Sequence, residues 1–94
     1  MKKYELVFII KPMEEEATQA VIAKFEAMVT NNGGTIDMID RWGKRRLAYL
    51  VKDFTDGYYC IFHVTGKPET VAELNRVMKI TDDILRHMIV KEDE

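Results

Sequence analysis

Lys3-Tyr4-Glu5-Leu6-Val7-Phe8-Ile9-Ile10, residues 3–10, is the stretch that decides the fold. It is rich in Val, Ile and aromatic residues, and Lys11-Pro12 ends it, so it reads as a strand. Side chains alternate between faces along a strand. Tyr4, Leu6, Phe8 and Ile10 therefore share one side, and Glu5, Val7 and Ile9 the other. Both sides are largely apolar, which places this strand in the middle of a sheet.

Next along the chain, residues 14–31 read as a helix. Ala17, Val21, Phe25, Met28 and Val29 form one apolar stripe, and Glu14–Glu16 lie in the first turn, where the helix dipole favours acids. Asn31-Asn32-Gly33-Gly34 is a stop signal, because Gly and Asn accept the left-handed conformation that closes helices. Residues 35–51 read as a long strand marked by Ile36, Met38, Leu47 and Tyr49. Its period slips at Trp42-Gly43, which predicts a bulge or bend. Asp56-Gly57 is a turn signal, and residues 58–65, YYCIFHVT, are the next strand. Gly66-Lys67-Pro68 opens a second helix with Val71, Leu74, Val77 and Met78 on its apolar face. Thr81-Asp82-Asp83 turns the chain into a last strand, Ile84–Val90.

Strand, helix, strand, strand, helix, strand is the split βαβ, or ferredoxin-like, α+β pattern. It predicts a four-stranded antiparallel sheet with two helices on one face. Right-handed crossovers put the first and third strands in the middle. The other face carries Val7, Ile9, Tyr59, Ile61 and His63, extended by Met88 and Val90. So apolar a surface points to a binding face, a dimer contact or a site covered by the chain's own tail. Residues 1–91 form one domain, and 92–94 a short acidic tail.

Composition narrows the function. The chain has 94 residues, 47% hydrophobic and 32% charged, enough apolar material for one core and too much for disorder. It has no apolar run long enough to span a membrane, and the alternation after Lys2 and Lys3 is unlike a signal peptide. The lone Cys60 excludes an internal disulfide and fits a reducing cytoplasm. The net charge is −2, yet Arg41-Trp42-Gly43-Lys44-Arg45-Arg46 carries four positive charges and no negative one. Acids collect elsewhere, at Glu14–Glu16, Asp82–Asp83 and Glu92–Glu94. Distribution outweighs the sum for a nucleic-acid binder.

No catalytic or metal pattern emerges. Serine is absent. Cys60 and His63, three apart in a strand, face opposite ways. His63 and His87 lack metal-ligand spacing, and Gly33-Gly34 lacks the companions of a phosphate loop. Lys11-Pro12-Met13-Glu14 has neither the Gly nor the Arg of an acyl-phosphate hydrolase loop. No enzyme, metal, cofactor or small-molecule substrate is expected. Arg41, Trp42, Lys44, Arg45, Arg46 and Tyr49 combine cations for phosphates with aromatic rings for bases. Lys2, Lys3 and Tyr4 make a second such cluster, and Arg86 with Lys91 a third. Consecutive charges within 41–46 cannot all face one way, so some are expected to pair with Glu5, Asp37 or Asp40. The strand carrying them lies at a sheet edge, where its unpaired backbone suits a protein partner. Trp42 there is either an aromatic anchor or a core residue over the bend.

The run Trp42-Gly43-Lys44-Arg45-Arg46-Leu47-Ala48-Tyr49 resembles the signature of the bacterial small-subunit ribosomal protein six family. Tyr4-Glu5 with Pro12, Asp56-Gly57-Tyr58-Tyr59, the helix from Pro68 and Ile84-Leu85-Arg86-His87-Met88-Ile89-Val90-Lys91 are similar too, covering residues 2–91 in order. The resemblance implies a ferredoxin-like fold and binding to the central domain of 16S ribosomal RNA beside ribosomal protein eighteen. On this reading Lys2, Lys3, Tyr4, Lys44, Arg45, Arg46, Arg86 and Lys91 meet RNA, and Arg41, Trp42 and Tyr49 meet the partner protein. Some relatives carry a long acidic tail, and on this resemblance that feature is expected to be missing or vestigial here. The alternative that the residues leave open is a ferredoxin-like regulatory or ligand-binding module that dimerises through its open face. The leading reading expects a monomer when isolated and a cytoplasmic, ribosomal location without membrane contact.

Overall fold

The computed structural model describes residues 1–92. Six elements follow one another as expected: β1 (Lys2–Ile10), α1 (Glu15–Asn31), β2 (Thr35–Val51), β3 (Phe54–Gly66), α2 (Pro68–Ile80) and β4 (Ile84–Lys91). The strands form one antiparallel sheet in the order β2-β3-β1-β4, with β1 and β3 central.

One face of the sheet and both helices enclose the core. Leu6, Phe8 and Ile10 of β1 and Cys60, Phe62 and Val64 of β3 meet Val21, Ile22, Phe25 and Val29 of α1 and Leu74 and Met78 of α2. Phe8 packs edge-on to Phe62 with ring centroids 5.1 Å apart, and tilted against Phe25 at 6.0 Å. Two buried threonines satisfy their hydroxyls on backbone: Thr18 Oγ1 donates to the Glu14 carbonyl at 3.1 Å, and Thr70 Oγ1 to the Asn32 carbonyl at 2.8 Å. The second bond ties α2 to the end of α1. That end closes through Gly33, at φ +81°, and the Gly34 N–H donating to the Val29 carbonyl at 2.8 Å.

Four local expectations change. Ala17 is exposed and Thr18 takes the inward place, because the buried stripe of α1 runs through Thr18, Val21, Ile22, Phe25 and Val29. In β2, the predicted bulge at Arg41/Gly43 is joined by another between Ile36 and Met38. That extra residue turns Met38 outward, 52% exposed, and brings Ile39 against the core. The β2–β3 connection is not at Asp56-Gly57. It is at Lys52-Asp53, whose φ values of +49° and +69° suit the two-residue hairpin turns that need positive φ. Gly57 serves another purpose: a Cβ there would overlap Ile9 Cγ2 of β1. Finally, β2 pairs Arg46 with Asp56 and Val51 with Phe54, which leaves Leu47–Leu50 bulging opposite Thr55. The bulged segment reaches the open face, where Leu47 and Tyr49 line a cleft with Ile9, Tyr59 and Arg86. The open face is therefore roofed at one end.

Candidate nucleic-acid interface

Residues directly opposite on neighbouring strands share a face of the sheet, so the register assigns each candidate side chain a direction. Arg41 lies opposite Cys60, on the helix side, and its Nε donates to Gln19 Oε1 of α1 at 3.3 Å. Lys44 lies opposite Tyr58 and Arg46 opposite Asp56, also on that side. The bulge at 41–43, with Gly43 at φ +82°, puts Trp42 and Arg45 on the open side. There the Trp42 ring lies nearly parallel to Tyr59, 6.3 Å away with 11° between planes, and the Arg45 guanidinium stands 5.6 Å from the Trp42 centroid. This is cation–π geometry. Trp42 is 48% exposed, so it is a surface platform and not a core residue over the bend.

Arg86 joins the same patch from β4. It pairs across from Ile9, donates from Nη1 to Tyr49 Oη, and holds its guanidinium 5.6 Å from the Tyr49 ring centroid. Tyr59 connects the halves, stacked on Trp42 and sharing a cleft with Tyr49 and Arg86. Three aromatic rings and two guanidinium groups thus form one patch at the hairpin end of the sheet. Tyr59 is half-buried on the open face and was not among the expected contact residues. Its alternation in YYCIFHVT was the available signal, and its contact with Trp42 depends on pairing between strands.

The remaining candidates divide differently from the expected clusters. Arg86 and Lys91 are five residues apart on β4, about 17 Å along an extended strand, so they do not form one cluster. Lys91 pairs with Tyr4, and Lys2 and Lys3 pair with Gly66 and Thr65, which gathers three exposed lysines at the opposite end of the sheet. Tyr4 is 9% exposed on the helix side, so its ring supports packing and is withdrawn from base stacking. Among the described residues, no cation of 41–46 forms an ion pair with Glu5, Asp37 or Asp40. Asp37 instead accepts from Thr65 Oγ1 at 2.6 Å, and Glu5 approaches His63.

Burial pushes the Cys60 thiol up to about 12, against the opposing pull of Arg41, so it stays protonated and is a poor nucleophile. Burial, helped by Lys79, lowers the His87 pKa, and its Nε2 lies 2.8 Å from Asn75 Oδ1. Neither group belongs to the aromatic patch.

The comparisons with known proteins agree with one another. The family model described as ribosomal protein S6 matches residues 3–91. The small ribosomal subunit protein bS6 of Clostridium perfringens (strain 13 / Type A) is 47% identical over 95 residues, covering 100% of both chains. That of Clostridium botulinum (strain Loch Maree / Type A3) is 47% identical over 94 residues, covering 99% of this chain and 100% of its own. The crystal structure of 30S ribosomal protein S6 from Thermotoga maritima matches with a TM-score of 0.92 at 27% identity, over 97% of this chain and 87% of that one. The fold, the signature run at the hairpin and the full-length matches lead to one conclusion: the chain belongs to the ribosomal protein S6 family.

Proposed function

We propose that the chain binds the central domain of 16S ribosomal RNA together with ribosomal protein eighteen, as a structural component of the small subunit. Its family makes it a ribosomal protein of the small subunit and not an enzyme. The observation that carries RNA binding is the exposed Trp42–Tyr59–Tyr49 patch with Arg45 and Arg86 set over its rings. Unstacked bases bind to such platforms with about 1–3 kcal/mol per base, and guanidinium groups hold the phosphates. Lys44 and Arg46 face away from the rings and suit backbone phosphates, as do Lys2, Lys3 and Lys91 at the other end. Arg41, Trp42 and Tyr49 lie on β2, whose outer edge has no described strand beside it, which suits a partner protein. The isolated chain is monomeric on this reading, and the bacterial ribosome places it in the cytoplasm.

The test is titration of a central-domain RNA fragment, with ribosomal protein eighteen present, at several salt concentrations. Changing Arg45 and Arg46 together to Ala leaves folding within about 0.5 kcal/mol per site. It weakens RNA binding and reduces the salt slope by about 0.7–0.9 per lost phosphate contact. A folded variant with an unchanged slope rules these residues out as contacts. Sedimentation of the pure chain separates the alternative: a tight dimer at micromolar concentration would make the open face a self-association surface.

A further inference from the structure

Away from the aromatic patch, strand pairing brings together three side chains that are far apart in sequence. His63 of β3 pairs directly with Glu5 of β1, and Glu5 pairs on its other flank with Val90 of β4. Glu92 continues that ladder: its N–H donates to the Lys3 carbonyl at 2.9 Å. All three side chains fall on the open side of the sheet by the two-residue period. His63 Nδ1 lies 3.2 Å from Glu92 Oε1 and 3.7 Å from Glu5 Oε1, and one donor atom from each residue fits within 4.8 Å of the other two.

We propose that Glu5, His63 and Glu92 form a binding site for one divalent transition-metal cation, Zn2+ foremost. Bonds of about 2.0–2.1 Å in tetrahedral geometry put neighbouring ligand atoms about 3.3 Å apart. The two histidine–carboxylate separations bracket that value. The donor set is one imidazole nitrogen and two carboxylate oxygens, which suits Zn2+. Ca2+ and Mg2+ require a fuller shell of oxygens, and Cu+ prefers sulfur. Three protein ligands leave a fourth position for water or an incoming donor. Charge favours the same occupant. Among the described residues, no lysine or arginine lies within ion-pair distance of either carboxylate, whose one such neighbour is His63, so two carboxylates face the site. The backbone bond at Glu92 and the strand pairing of Glu5 and His63 hold the donors on rigid backbone, which limits the ordering cost of binding. The site does not depend on the RNA-binding reading.

Calorimetric titration of the chelator-treated, tag-free full chain with ZnCl2 at pH 7.5 tests it. One ion binds per chain, and the melting temperature rises with Zn2+ concentration, as for any ligand selective for the native state. His63→Gln and Glu5→Gln each weaken binding by at least about tenfold, the loss that removal of even an outer-shell partner causes. His87→Gln binds like the parent. Melting curves in chelator establish that the variants are folded. The proposal fails if the parent shows no saturable binding, or if His63→Gln and Glu5→Gln bind as tightly as the parent. The three groups would then be a histidine held by two glutamates on the sheet surface, with no ion between them.

Discussion

The two faces of the sheet use the same strands for opposite ends. On the helix side, Leu6, Phe8, Ile10, Cys60 and Phe62 are all at or below 1% exposure and packed beneath both helices. On the open side, one residue away along the same backbone, Val7, Ile9, Tyr59, Ile61 and His63 are only half-buried, and Met88 reaches 57% exposure. Apolar content alone does not distinguish the two. What differs is what covers them, and with it what each side chain contributes. Beneath the helices a ring contributes to folding; on the open face it remains available to a ligand.

The strongest way to break this comparison is to shorten one side chain on each face. Phe62→Ala leaves a cavity against Phe8 and costs about 3–5 kcal/mol of stability, whereas exposed Met88→Ala stays within about 0.5 kcal/mol. Urea denaturation of both variants checks the contrast, and similar losses would abolish the distinction between the faces. Gly57→Ala probes the junction of β1 and β3 near the hairpin. Its new methyl would collide with Ile9, so the variant loses about 1–3 kcal/mol by overpacking. A turn position at 56–57 would tolerate the change better.

Trp42→Ala sharpens the contrast from the open side. Loss of the Tyr59 stack costs about 0.5–1.5 kcal/mol of stability, and loss of an interface anchor costs at least about 2 kcal/mol of binding. Denaturation and titration of one variant with RNA and partner protein measure both quantities. A larger loss in folding than in binding would return Trp42 to the core.

The smallest effect is the pH response of His87. Burial holds its folded pKa below the ordinary value, so the unfolded chain binds the proton first as pH falls. Its contribution is fully present above the unfolded pKa, near 6.5, and is lost as pH falls through that value toward the folded one. In His87→Gln the decline in stability below about pH 6.5 is shallower, as denaturation midpoints across pH 5–8 would record.

Much of the architecture was legible. The period of two in YELVFII and YYCIFHVT named both central strands, and the slip at Trp42-Gly43 located a real bulge. Local signals misled where a long-range contact governed the residue. Asp56-Gly57 has the composition of a turn, yet Gly57 is small because β1 passes close by. Tyr4 beside two lysines resembles a stacking residue, yet the period of two that groups it with Leu6, Phe8 and Ile10 carries it into the packed side. Met38 had the right period until a second bulge shifted it outward.

The amino-acid order by itself determined the six elements, the packed face and the concentration of cations at 41–46, because periodicity and turn chemistry act over a few residues. Only the tertiary structure decided which distant side chains meet. Trp42, Tyr59 and Arg86 gather at one end of the sheet, and Glu5, His63 and Glu92 at the other. Those meetings follow from strand order and register, which arise when separate apolar faces bury one common core. A one-residue slip of any one strand would turn its own contributors to the opposite face.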